Sequence, residues 1–239
     1  MKGVADWVRA LQDLERPDWV RFLDDHSGLP GPRANLALLD ATVRVADPAI
    51  VADLVDDGGE YPMACAAAYF GSRADESACE GSAHECAGDE RWRVREGAAI
   101  GLQHLGDRSF AAFASISRRW VDDPDPLVQR AAVAAVCEPR LLRSPDRAVA
   151  AIDICRRATL HLVALPSERR RQPDARTLRL ALGYGWSVAV AADPTAGLPV
   201  FLDLDTADPD IAWIVTQNRR KKRLAALLEQ RPGSELAEP

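Results

Sequence analysis

Aromatic residues make up only 6% of this 239-residue chain. A core must therefore come mainly from the Ala, Leu and Val that lift the hydrophobic fraction to 47%. These residues suit close helix–helix packing, because Ala is the strongest helix former and Leu follows closely. Runs of Val, Ile, Thr and aromatics of the kind that build strands are nearly absent. So is any charge-free apolar stretch of about 18 residues, which leaves no candidate membrane span. The opening MKGVADWVRALQDLER lacks the apolar core of a cleavable leader and reads as an amphipathic helix, so a soluble cytoplasmic protein is expected. Catalytic signatures are missing too: there is no GxSxG, HExxH or P-loop. The four histidines, His26, His84, His104 and His161, have no obvious paired acid and nucleophile. No cofactor and no enzymatic activity are expected.

Cysteine is sparse and odd in number, which excludes a disulfide framework. Cys65, Cys137 and Cys155 fall inside apolar helical patterns and read as buried thiols. Cys79-x₄-His84-x-Cys86 carries metal-ligand residue types. Zinc wants four ligands in fixed geometry, and this segment offers three strong ones at irregular spacing. A redox role for Cys79 and Cys86 is the other chemical reading. An irregular exposed insertion is the preferred account.

The net charge of −6 is unevenly spread. Residues 1–90 hold 7 Lys and Arg against 18 Asp and Glu, whereas residues 91–239 hold 23 against 18. The basic half could face an anionic partner, or both halves could be ordinary solvated helix faces.

Helical periodicity fills nearly every segment. Val4, Trp7, Val8 and Leu11 share one face, and Pro17 stops or restarts the helix. Further helices are predicted at 17–26, 33–46, 48–57, 61–73, 89–105, 109–122, 125–137, 145–165, 174–191, 195–203 and 208–230. Gly28, Pro30, Gly31 and Pro32 make a loop. Residues 74–88, small, polar and acidic, are predicted to be the longest loop, and a short disordered tail is predicted at about 231–239. Pro124, Pro126, Pro145, Pro173, Pro194 and Pro209 each sit at or near a predicted helix start, where the missing N–H has no partner to lose. Residues 181–191 are apolar nearly all round and read as a buried helix, with Gly183 and Gly185 admitting a neighbour closely.

An internal repeat organises these helices. Asp89-Glu-Arg-Trp92-Arg-Val94-Arg95, Asp123-Pro-Asp-Pro126-Leu-Val128-Gln129 and Asp210-Ile-Ala-Trp213-Ile-Val215-Thr216 align without gaps. In the first two, Ala-rich runs follow (Ala98, Ala99, Ile100, Leu102; Ala131, Ala132, Val133, Ala135, Val136), and the units lie 34 residues apart, one helix pair. Asp favours a helix start, Val begins a buried stripe, and the alanines let the next helix approach. One such pair does not bury its apolar face alone, so neighbours must stack.

At these residues the chain resembles the HEAT-repeat, armadillo-type family, whose unit is two antiparallel helices with an Asp-x-x-x-Val-Arg-like opening to the second. Asp89, Val94 and Arg95 match that opening. Gln129 and Thr216 replace the Arg in the later units, which breaks the family's Asp–Arg ladder. The resemblance implies an all-α fold: a right-handed α-solenoid of five or six antiparallel helix pairs, drawn as one domain over 1–239 with the 74–88 loop protruding. The similarity implies fold strongly and function hardly at all.

Basic residues supply the candidate sites. Arg219, Lys222 and Arg223, on the last predicted helix, share a face by i, i+3, i+4 spacing. Arg169, Arg170 and Arg171 form a basic loop tip. Arg93, Arg95, Arg130 and Arg219 could line the concave surface, with Trp213 beside them. Some bacterial HEAT-like proteins are DNA-alkylation-repair glycosylases, which hold duplex DNA in a basic groove with Trp and Asp near the lesion. Trp92, Trp120, Trp186 and Trp213, with Asp89 or Asp210, are similar in type, but their catalytic residues find no match one by one. The net charge of −6 also opposes tight phosphate binding. The sequence therefore favours a non-enzymatic scaffold whose concave surface, including Arg93, Arg95, Arg130, Trp213, Arg219, Lys222 and Arg223, holds a protein partner. Nucleic-acid binding or base excision is the alternative.

Overall fold

Asp-Pro pairs open four of the helices in the computed structural model, which describes residues 3–230. At Asp47-Pro48, Asp125-Pro126, Asp193-Pro194 and Asp208-Pro209 the aspartate is the N-cap and proline the first helical residue. The Asp47 carboxylate accepts the Ile50 N–H at 2.8 Å, and Asp125 accepts that of Leu127 at 2.8 Å. The carboxylate satisfies an orphan donor, while proline gives up only an N–H that the helix would leave unpaired. The predicted tail at 231–239 lies outside the described residues.

Among the described residues the protein is all-helical, with fifteen α-helices, two short 3₁₀ turns and no strand. It clusters into two compact units, the first ending at Ile116 and the second beginning at Ser117. The first comprises α1 (Val4–Gln12), α2 (Trp19–His26), α3 (Leu36–Val45), α4 (Pro48–Asp57), α5 (Glu60–Ser72), α6 (Ser77–Ala87) and α7 (Trp92–Arg108). The helix α8 (Phe110–Val121) carries the division. The second unit comprises α9 (Pro126–Val136), α10 (Pro145–Ala164), α11 (Ser167–Arg170), α12 (Pro173–Ala192), α13 (Pro194–Leu202), α14 (Pro209–Arg219) and α15 (Lys222–Glu229).

In the first unit, α7 lies along α5 in the same direction. Arg93 pairs with Glu60 at the start of the two helices (3.2 Å), and Arg108 pairs with Asp75 (2.8 Å) and donates to the Ser72 carbonyl (2.9 Å) at the end. Between these ties the backbones touch. A methyl group added to Gly97 would collide with the carbonyl oxygen of Ala64, and one on Gly101 with that of Ala68. Gly71 faces the Ala98 carbonyl and Leu102 N–H in the same seam. On the other side of α5, the Tyr61 hydroxyl donates to the Asn35 carbonyl at 2.7 Å, at the head of α3. His104 of α7 reaches Asp40 of α3 at 2.9 Å. Cys65, deep in this layer, is fully buried, and burial pushes its thiol up to about 12.

In the second unit, α12 is the central element, packed by α9, α10, α13, α14 and α15. The side chain of Asn218 on α14 is fully buried. It accepts the Ser187 N–H (2.8 Å) and donates to the Leu182 carbonyl (2.8 Å), joining α14 to the α12 backbone. Gly183 accommodates the Trp213 ring and Gly185 the thiols of Cys137 and Cys155, the close approach expected of those glycines.

Several sequence expectations change. Residues 77–87 are helix α6, not loop: Ala83, Cys86 and Ala87 make a buried stripe at helical spacing. The stripe is made of residues so small that no apolar pattern stands out. Cys79 and Cys86 are two turns apart on this helix, roughly 10 Å along its axis, beyond disulfide reach. Burial pushes the Cys86 thiol up to about 12, which makes it unreactive.

The third repeat unit is out of register. Asp89 and Asp123 each stand two residues before the N-cap and accept its N–H (from Arg91 at 2.7 Å, from Asp125 at 2.8 Å), whereas Asp210 lies inside the first turn of α14. Ile211, buried two places after the first helical residue, is the true counterpart of Val94 and Val128. The first two units agree more deeply than the letters suggest: Arg95 donates to the Asp89 carbonyl (2.5 Å), and Gln129 does the same to the Asp123 carbonyl (2.6 Å).

The predicted helix 208–230 breaks at Arg220 and Lys221. The buried face of α14 runs through Ile211, Ile214, Val215 and Asn218, and its continuation would turn Lys221 and Lys222 inward. The break resets the phase so that Leu224 is buried instead.

Two glycine substitutions test this packing. Gly97→Ala should overpack the α5–α7 seam and lower the melting temperature by on the order of 10 °C. Gly81 has open space around it in α6, so Gly81→Ala should stabilise the protein by about 0.5–1 kcal/mol in a denaturant titration. A loop at 74–88 would show no such gain.

Candidate binding face on the second unit

The expected site residues fall in both units. Arg93 and Arg95 belong to the first unit and are engaged locally. Arg93 is 14% exposed, pairs with Glu60, donates to the Gly31 carbonyl at 3.3 Å and lies over the Trp92 ring. Arg95 donates to the carbonyls of Asp89 and Glu90, closing the turn before α7. Trp120 and Trp186 are buried core residues, and the Trp186 indole donates to the Thr159 hydroxyl at 3.0 Å. They are therefore not groove aromatics of the kind the glycosylase resemblance requires. With the helix broken at Arg220, Arg219, Lys222 and Arg223 lose their common helical face.

What the second unit does bring together lies on α12. Leu180 and Tyr184, one turn apart, are 62% and 44% exposed, large apolar surfaces left uncovered. Arg176, one turn earlier, extends the same row and is exposed. Arg223 donates to the Tyr184 hydroxyl at 2.9 Å and stands 5.1 Å from the ring centre, and the Lys221 ammonium lies 5.5 Å from the same centre. Both cations face the electron-rich ring. Beside Tyr184 a hollow of about 300 Å³ is lined by Arg130, Val133, Ala134, Cys137 and Ala181.

At the other end of α12 a second hollow of about 320 Å³ is lined by Ser167, Arg170, Arg171, Arg176, Arg179 and Asp210. The triple arginine is not a loop tip: Arg169 and Arg170 end the short helix α11, and only Arg171 is exposed. Arg169 forms a two-pronged pair with Asp174. Arg170 is fastened by the Leu165 carbonyl (2.8 Å), the Val163 carbonyl and Asp208 (2.6 Å). Asp210 sits 2.9 Å from Arg179 Nε and 3.5 Å from Arg170, and the Arg179 guanidinium stacks 4.1 Å over Trp213. Burial pushes the Asp208 carboxyl up, but the hydrogen bonds from Arg170 and from the N–H groups of Ile211 and Asp210 outweigh it and leave it below the ordinary carboxylate range. The Arg169 guanidinium holds Asp174 low, against an opposing effect of burial.

These arginines were visible in the sequence, but their convergence was not. Arg170, Arg176 and Arg179 meet only because α11 folds back beside α12 and α14 brings Asp208 and Asp210 to them. No protein family, no curated protein and no solved structure matches this chain.

Since Asp208 and Asp174 titrate lower when folded than when unfolded, their contribution to stability is present above about pH 4 and is lost as pH falls through the folded-state values. Asp208→Asn keeps the helix cap but removes the pair with Arg170. It should cost about 1–2 kcal/mol at pH 7 and flatten the acid limb of stability measured by urea unfolding from pH 7 to pH 3.

Proposed function

We propose that this chain is a non-enzymatic binding protein built as an α-solenoid of HEAT-like helix pairs, and that its second unit holds an acidic protein partner on the exposed row of α12. The solenoid reading is supported by the side-by-side, same-direction packing of α5 and α7, tied at a constant offset of 33 residues by Arg93–Glu60 and Arg108–Asp75. It is supported further by the matching turn clasps at Asp89 and Asp123. One observation carries the function: Leu180 and Tyr184 stand uncovered among Arg176, Lys221 and Arg223. Exposed aromatic and aliphatic side chains ringed by cations suit a partner that offers both an apolar contact and carboxylates. A cytoplasmic setting belongs to this reading and accords with five thiols left free. No helix among the described residues is long and apolar enough to cross a membrane.

Nucleic-acid binding is the second reading, favoured by one observation, the arginine-lined hollow at the head of α12. Salt separates the two, since phosphate-backbone binding weakens steeply as counterions compete.

Leu180→Asp and Tyr184→Ala should abolish capture of any protein that wild type retains from its host extract, while Leu36→Asp, an exposed leucine of the first unit, should leave capture unchanged. Equal capture by all four proteins, or duplex DNA bound at low salt and released at moderate salt with no protein retained, would sink the proposal.

A further inference from the structure

We infer that the hollow at the junction of α11, α12 and α14 is a binding site for a phosphate dianion, free or carried as a monoester. The first argument is charge balance. Four guanidinium groups, those of Arg170, Arg171, Arg176 and Arg179, line one hollow of about 320 Å³, and Asp210 is the carboxylate among its lining residues. Asp208 neutralises Arg170 from one side, and Asp210 lies between Arg170 and Arg179. Arg171 and Arg176 have no ion-pair partner among the described residues, so the hollow holds a positive excess that an entering dianion would balance.

The second argument is preorganisation. Arg170 is held by two carbonyls and a carboxylate, so it serves as a fixed wall. Arg179 is ion-paired at its Nε side with Asp210, 2.9 Å away but not aligned for a hydrogen bond, and stacks along its plane on Trp213, whose ring is backed by Gly183. Its two terminal amino groups make no hydrogen bond among the described residues. A guanidinium held at its inner edge and on one face, with its outer fork open, is set for two-pronged recognition of a tetrahedral oxyanion. Arg171 and Arg176, both exposed, would close on the remaining oxygens, and the Ser167 hydroxyl supplies one neutral donor.

The third argument is size. A hollow of about 320 Å³ is at the small end of ligand pockets, room for a phosphoryl group and the first atoms of its ester, not for a bulky apolar body. The inference does not rest on a partner at Leu180 and Tyr184.

Calorimetric titration of the full chain with inorganic phosphate and with phenyl phosphate tests it. Saturable binding is expected, stronger at pH 7.5 than at pH 5.5 because both probes gain dianion over that range, the monoester's second ionisation lying near 6. Arg176→Ala and Arg171→Ala should each weaken it roughly tenfold. Arg179→Lys keeps the charge but loses the fork and should weaken it comparably. Leu36→Asp, at an exposed leucine of the first unit, should leave it unchanged. Equal affinity for the two probes would identify free phosphate as the ligand, and preference for phenyl phosphate would identify an esterified group. Both outcomes uphold the site. No saturation by about 10 mM, or full affinity in all three arginine variants with unaltered circular dichroism, would overturn it.

Discussion

Contact between backbones, permitted by missing side chains, is the constraint on which the first unit depends. Gly97 and Gly101 on α7 meet the carbonyls of Ala64 and Ala68 on α5, and Gly71 answers from the other helix. Helices brought so close leave no room for large side chains in the seam, so bulk is buried elsewhere, as at Tyr61, Leu38 and Leu105. This explains how a chain with few aromatics makes a buried core. Close approach replaces bulk, and dispersion summed over many small contacts replaces a few large ones. The second unit solves the same problem differently. Gly183 and Gly185 make space for an indole and two thiols, so there glycine admits side chains and not a backbone.

Polar groups set the register of these apolar seams. Van der Waals contact between smooth Ala-rich faces tolerates sliding, but a buried amide does not. Asn218 has both ends bound to the backbone of α12, and a slip of one residue would leave several buried donors and acceptors unpaired. In the first unit the Arg93–Glu60 and Arg108–Asp75 pairs bracket the α5–α7 seam at equal offsets. These pairs are partly exposed and add little energy singly, yet together they hold the two helices in one alignment.

The same logic shapes the arginine hollow. Arg170 is used as a structural cation, sealed by carbonyls and Asp208, and that frees the neighbouring arginines from holding the fold. Trp213 serves two neighbours at once, filling the space above Gly183 and presenting its face to Arg179. Along α12 the surface then passes from cationic at Arg176 to apolar at Leu180 and Tyr184, so one helix carries two chemically different surfaces within about two turns.

The all-helical class was legible in the sequence, because Ala and Leu content, helical periodicity and proline punctuation are local properties. Most helix starts were legible for the same reason: an Asp or a Pro acts within one turn of its own position. The likeness of the Asp89 and Asp123 turns was legible, since their clasps run within six residues of sequence. Helix α6 escaped because its buried stripe is only Ala and Cys, and the break at Arg220 escaped because it answers to Leu224 finding a neighbour, not to any breaker residue. Which arginines are sealed and which are open was decided only by tertiary structure. Arg170 and Arg171 are adjacent in sequence and chemically identical. Asp208, 38 residues beyond Arg170, separates their roles by reaching one of them.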